Sequence, residues 1–99
     1  MSAAGATFRR AYDMGITRAE FLRLLPAAVG GAAFRVEGDD VLSAGPPPWR
    51  IRLEARPGRG FGPVMIPVLA VALAVEAATP AEAEVFVERF LLGFQRAGG

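Results

Sequence analysis

The chain has 99 residues and a formal net charge of +1, with 53% hydrophobic and 21% charged residues. This length and apolar content predict one folded domain and exclude a disordered chain, because there is enough apolar surface for one core. Cysteine and histidine are absent and all 11 basic residues are arginine. Their absence excludes disulfides, thiolate or lysine nucleophiles, and histidine as a general base or metal ligand.

The first 15 residues lack a clear hydrophobic period. We therefore expect an N-terminal arm at 1–15, mobile in part, followed by a single α+β domain at 16–99. The arm also lacks the apolar segment of a signal peptide. The apolar run at 63–75 contains two prolines and is too short to cross a bilayer as a helix. These features predict a cytoplasmic protein that does not engage a membrane.

A helix is predicted to begin after Thr17. Thr17 and Glu20 have the spacing of a capping box, and Ile16 and Phe21 have the spacing of a hydrophobic staple. Pro26 lacks the N–H that a continuing helix needs, so a kink or an early end is expected there. The glycines at 30–31 are typical of a helix stop.

Three stretches in the middle of the chain are predicted to form strands. Residues 34–43 read as a strand, a tight turn at 38–40 and a second short strand. Residues 49–56 alternate strictly, with an apolar row that starts at Trp49 and a charged row that contains Arg50, Arg52, Glu54 and Arg56. Residues 64–75 are apolar on both faces, with large residues in one row and Ala70, Ala72 and Ala74 in the other.

A second helix is predicted to follow Thr79, which is a good N-cap, with Pro80 at the first helical position and Glu82 completing a capping box. Its apolar face contains Ala83, Phe86, Val87, Phe90, Leu91 and Phe94. Val85 and Leu92 fall on its polar side. The two C-terminal glycines follow this helix directly, which favours a helix end over a free carrier tail.

Together these elements predict an α+β fold, a two-layer sandwich. An antiparallel four-stranded sheet is covered on one face by an N-terminal and a C-terminal helix, in the order α-β-β-β-β-α. The leading functional hypothesis is a small non-catalytic module that acts through self-association, as a homo-oligomer, or through a protein partner. It rests on apolar positions that a chain this small would leave exposed. The predicted interface residues are Ala70, Ala72, Ala74, Val85 and Leu92.

The alternative hypothesis is a domain that binds an anion, either nucleic acid or a phosphorylated ligand. Guanidinium groups bind phosphates in a bidentate manner, and the candidate residues are Arg50, Arg52, Arg56 and Arg59. The same residues could also be a solvated sheet face with cross-strand partners such as Glu37 and Glu54. No cofactor and no metal site are predicted. An enzyme would need a pocket that brings an arginine together with two of Glu20, Asp39, Asp40, Glu54 and Glu76.

Overall fold

The computed structural model describes the backbone of residues 5–98 and the side chains through Gln95. Over this range the elements are β1 (Ala6–Met14), α1 (Arg18–Ala28), β2 (Phe34–Glu37), β3 (Asp40–Ser43), β4 (Trp49–Phe61), β5 (Val64–Ala77) and α2 (Pro80–Gly98). The described strands form one antiparallel sheet in the order β1-β5-β4-β3-β2. The predicted α+β class, the antiparallel sheet and both helices are confirmed.

The N-terminal segment is where the prediction was wrong about the number of strands. Residues 6–14 form a fifth strand, β1, which pairs with β5 from Ala6 opposite Ala77 to Met14 opposite Leu69. The order is therefore β-α-β-β-β-β-α. The core-facing row of β1 contains Phe8, Tyr12 and Met14, but Arg10 interrupts its apolar alternation. Residues 1–4 of the expected arm lie outside the described range.

Arg10 lies on the helix side of the sheet because it has a partner there. Its guanidinium forms an ion pair with Glu84 of α2 at 2.5 Å. The neighbouring phenol of Tyr12 is partly buried, and this burial raises its pKa above the ordinary value of 10.0. The charge of Glu84 also raises the pKa of Tyr12, whereas Arg10 lowers it. The β1–α2 contact is therefore partly polar, which explains why a purely apolar period does not reveal the strand.

Both helices begin at the predicted caps. At Thr17 the capping box with Glu20 is complete. Before α2, the Glu82 amide donates to the Thr79 hydroxyl at 3.2 Å, while the Glu82 carboxylate accepts from the Ala78 amide, one residue earlier than expected. The last described helical residue is Gly98, and Gly99 lies outside the described range.

α1 passes through Pro26 and ends after Ala28, so the proline does not end the helix early. Phe21, Leu25 and Ala28 are all buried on one face of α1. Tertiary packing of such a face contributes more to helix stability than a single backbone hydrogen bond. The predicted stop is confirmed, because Gly30 and Gly31 both have positive φ and their amides donate to the last turn.

The two helices pack on the large-residue face of the sheet. The buried residues are Phe21, Leu25, Ala28, Val29, Val41, Trp49, Ile51, Leu53, Leu69, Val71, Leu73, Val75, Ala83, Val87 and Phe90. Phe21 of α1 meets Phe90 of α2 edge-on, with the ring centroids 6.3 Å apart. The helices are in close contact where Gly93 faces Ala28. This layer fixes which face of the sheet is covered and leaves the other face open.

β4 and β5 extend beyond the rest of the sheet as a projecting hairpin. β1 ends opposite Leu69, and the last β3–β4 pair joins Asp40 to Arg52. The hairpin has a register shift between Arg56 and Arg59. It turns at 62–63, where Gly62 supplies the positive φ that a two-residue turn needs at its first position. Ala55 and Met65 belong by sequence pattern to the core-facing rows, but both are exposed because they lie on this projection.

Candidate interaction face of the sheet

The side of the sheet away from the helices is an open face, and the strand register arranges its central side chains in three rows, which are flanked by a row that pairs Thr7 with Glu76 and a row that pairs Arg56 with Val68. The Ala74 row contains Arg9, Ala74, Arg50, Leu42 and Arg35. The Ala72 row contains Ala11, Ala72, Arg52, Asp40 and Glu37. The Ala70 row contains Asp13, Ala70 and Glu54. Each row runs across the strands, so residues of one row are direct cross-strand neighbours.

An apolar column runs along β5 through the middle of the open face. It consists of Val64, Ile66, Val68, Ala70, Ala72 and Ala74, which alternate with the core-facing residues of the same strand. Val64 is 56% exposed and Ile66 is 37% exposed. Phe61, opposite Val64 on β4, is 62% exposed. The open face thus has an apolar centre, where a solvated sheet normally has polar side chains.

Arginines flank the apolar column at the end that contains Ala72 and Ala74. Arg9, Arg50 and Arg52 surround a surface depression of about 470 Å³, whose floor is formed by alanines such as Ala72 and Ala74. Arg52 forms an ion pair with Asp40 at 3.4 Å. Among the described side chains, Arg9 and Arg50 have no carboxylate within ion-pair distance. This end of the open face therefore carries positive charge that the fold itself leaves unneutralised.

The predicted anion-binding residues are only partly brought together. Arg50 and Arg52 share the 470 Å³ depression, but Arg56 lines a neighbouring one of about 270 Å³ and forms an ion pair with Glu54 at 3.4 Å. Arg59 lies beyond the register shift, in a third depression. Arg9 and Asp13 were missed because β1 was not predicted as a strand. The alternation of Phe8, Tyr12 and Met14 is a weak signal for this strand, because Arg10 interrupts it.

The predicted interface residues fall on two separate surfaces. Ala70, Ala72 and Ala74 lie together on the open face, beside the charged row of β4. Val85 and Leu92 are 58% and 45% exposed on α2. Because α2 packs on the other side of the sheet, these two residues cannot contribute to the same contact as the alanines.

The carboxylates that an enzyme site would need are dispersed over the described surface. Glu20 is used in the capping box of α1. Asp40, Glu54 and Glu76 each line a different depression. Asp39 sits in the β2–β3 turn, where its carbonyl accepts from the amide of Leu53. Within the side chains that the structure describes, no three acidic groups are close enough together to hold a metal ion.

The described part of the chain has no helix with both the length and the hydropathy that crossing a membrane requires. Comparison of the chain with protein-family models, with curated proteins and with solved structures finds no match in any of the three. The site must therefore be interpreted from its own geometry, and that geometry is an open sheet face with an apolar centre, arginines in the Ala74 row and carboxylates in the Ala70 row.

Proposed function

We propose that the protein is a small non-catalytic interaction module that self-associates through the open face of its sheet, with the cytoplasm as its compartment. The observation that carries this proposal is the exposed apolar column of β5. Contiguous exposed apolar surface of this kind marks interaction sites in soluble proteins. The alanines add little apolar area themselves, but they let another sheet approach closely.

The size of the open face supports a contact between two chains. With strands spaced by about 4.8 Å and a rise of about 3.4 Å per residue, the 14 residues of β5, the 13 of β4 and the 9 of β1 give a flat area on the order of 600 Å². A standard interface buries about 800 Å² of accessible surface per partner. Since side chains roughen the surface, the accessible area exceeds the flat area, and the open face reaches the required size.

Replacing Ala72 with glutamate tests the proposal. Ala72 is at the centre of the open face and is exposed in a single chain, so a glutamate there can pair with Arg52 without disturbing the core. In a dimer, the second sheet would lie about 10 Å away. The glutamate side chain would then clash with that sheet and bury a negative charge in the interface. Light scattering should give a mass above the 10.4 kDa of one chain for the wild type and the mass of one chain for Ala72→Glu.

The matched control is Ala81→Glu, which adds the same charge at an exposed position in the first turn of α2. This variant should keep the wild-type mass. Circular dichroism should give the same secondary structure for all three proteins. A wild type that stays at the mass of one chain up to millimolar concentration would rule out self-association.

Anion binding is the second candidate, favoured by the unneutralised Arg9 and Arg50 at the edge of the 470 Å³ depression. Arg52 faces the same space. A phosphate in this depression would accept hydrogen bonds from more than one guanidinium group, which is the usual geometry of phosphate recognition by arginine. The described arrangement favours a small anion over a long nucleic acid, because Arg56 and Arg59 are separated from it by Glu54 and by the register shift.

Titration with pyrophosphate and with a single-stranded oligonucleotide tests this candidate. Binding should weaken steeply with salt, and Arg52→Ala should weaken it roughly tenfold. Arg23→Ala, at an exposed position of α1, is the control and should bind like the wild type. An affinity that does not change with salt concentration or with Arg52→Ala would argue against an arginine site on the open face.

A further inference from the structure

Two rows of the open face carry opposite charges, although the rows outside them place Glu76 beside the arginines and Arg56 beside the carboxylates. The Ala74 row contains three arginines, Arg9, Arg50 and Arg35, and no carboxylate. Two rows away, the Ala70 row contains the carboxylates Asp13 and Glu54 and no arginine. Arg9 and Asp13 belong to the same strand, and so do Arg50 and Glu54. This distribution suits a partner surface whose charges run in the reverse order along the strands.

From this pattern, which rests on the proposed self-association, we infer that the partner is a second copy of this chain, related by a twofold axis along the Ala72 row. Rotation by 180° about that axis turns one sheet to face the other and reverses the strand direction. Arg9 then lies opposite the partner's Asp13, and Arg50 lies opposite the partner's Glu54. Each contact occurs twice, as an interface between identical surfaces requires.

The alanines of the apolar column are compatible with the same axis, whereas Ile66 and Val64 lie beyond the end of the partner's β5 and stay outside this contact. Ala74 lies opposite the partner's Ala70, and Ala72 lies opposite its own copy. Small side chains along the centre allow the sheets to approach, so the arginines and carboxylates at the flanks come within reach of each other. Arg52 also comes near its own copy at the axis, but its ion-pair partner Asp40 accompanies it and offsets the repulsion.

The other face-to-face twofold arrangement has an axis along β5, and the charges oppose it. That rotation keeps each row over itself, so Arg9 would lie opposite the partner's Arg50. Asp13 would lie opposite the partner's Glu54. Juxtaposed like charges weaken an interface, so the charge pattern favours the axis along the Ala72 row and opposes the axis along β5.

Charge reversal at Arg50 and Glu54 tests the arrangement. Arg50→Glu places two acidic groups opposite each other, and Glu54→Arg places two arginines opposite each other. Each variant alone should raise the dimer dissociation constant on the order of 100-fold or more, measured by sedimentation or light scattering. A mixture of the two variants should form a heterodimer of near wild-type affinity, because every reversed charge then meets its complement. The double variant should also dimerise.

The controls are Arg23→Glu and Glu88→Arg, which reverse exposed charges on α1 and α2 and should leave the dissociation constant unchanged. If either β4 variant fails to fold, Arg9→Glu and Asp13→Arg make the same test on β1. A wild type that dimerises while the single reversals have no effect, or while mixing restores nothing, overturns the twofold arrangement and leaves self-association standing. A monomeric wild type overturns both.

Discussion

Replacing Phe90 with alanine is expected to lower the free energy of unfolding by about 3–5 kcal/mol. Phe90 is fully buried and its ring contacts those of Phe21, Phe86 and Phe94. Removal of the ring leaves a cavity between the helices and the sheet that rigid strands cannot fill. For a domain of ordinary stability this is a large part of the total. Urea denaturation followed by circular dichroism measures the change.

Phe61→Ala is the matched control for this experiment. It removes the same ring at the end of the hairpin, where Phe61 is 62% exposed. Its free energy of unfolding should stay within about 0.5 kcal/mol of the wild type, as is usual for surface substitutions. The comparison is made at low protein concentration, so that association through the open face does not contribute. Equal losses for the two variants would contradict the position of Phe90 in the core.

Gly93→Ala is expected to destabilise the protein by roughly 1–3 kcal/mol, even though alanine favours a helix over glycine by about 1 kcal/mol. A Cβ atom at Gly93 would lie 2.6 Å from the Cα and 2.7 Å from the Cβ of Ala28. The obstructing atoms include backbone, so α1 and α2 must move apart to accept the methyl group. Thermal unfolding should show a lower midpoint.

Gly45→Ala provides the control for Gly93→Ala. No heavy atom lies within 4 Å of the position that a Cβ at Gly45 would take, and its φ is not positive. The substitution should therefore change the free energy of unfolding by less than about 0.5 kcal/mol. If Gly93→Ala changed the free energy of unfolding as little as Gly45→Ala, or raised it, the close approach of the two helices at Ala28 would be wrong.

The layers of the fold follow from two patterns that are visible in the sequence. The strict alternation from Trp49 and the large and small rows of 64–75 identify the two longest strands and their buried faces. Thr17 and Thr79 identify the helix starts, since capping depends on a few adjacent residues. Local signals of this kind are sufficient where the residues that make the contact are close in sequence.

β1 could not be recognised in the same way because its core-facing row depends on a distant partner. Arg10 breaks the apolar alternation, and only the presence of Glu84, 74 positions further along the chain, makes an arginine acceptable there. Pro26 was misjudged for a related reason. The cost of its missing hydrogen bond is local, whereas the compensating burial of Phe21 and Leu25 is tertiary.

The part of the candidate site on β4 and β5 could be predicted from the sequence, but the part on β1 could not. Alternation places Arg50 and Arg52 on the same face as Ala72, and that part needs no structure beyond the strands themselves. The contribution of Arg9 and Asp13 needs β1, and the separation of Arg59 from the others needs the register shift in the hairpin. The division of charges between two rows of the open face appears only when the strands are aligned row by row.

The pairing of β1 with β5 has a consequence for how the chain acquires its structure during translation. β1 leaves the ribosome before residues 69–77, with which it pairs, and α1 packs against the still later α2. The hairpins between residues 34 and 77 close locally and early, while β1 and α1 wait for β5 and α2. Until then β1 has no partner strand in its own chain and is open to the strands of other nascent chains.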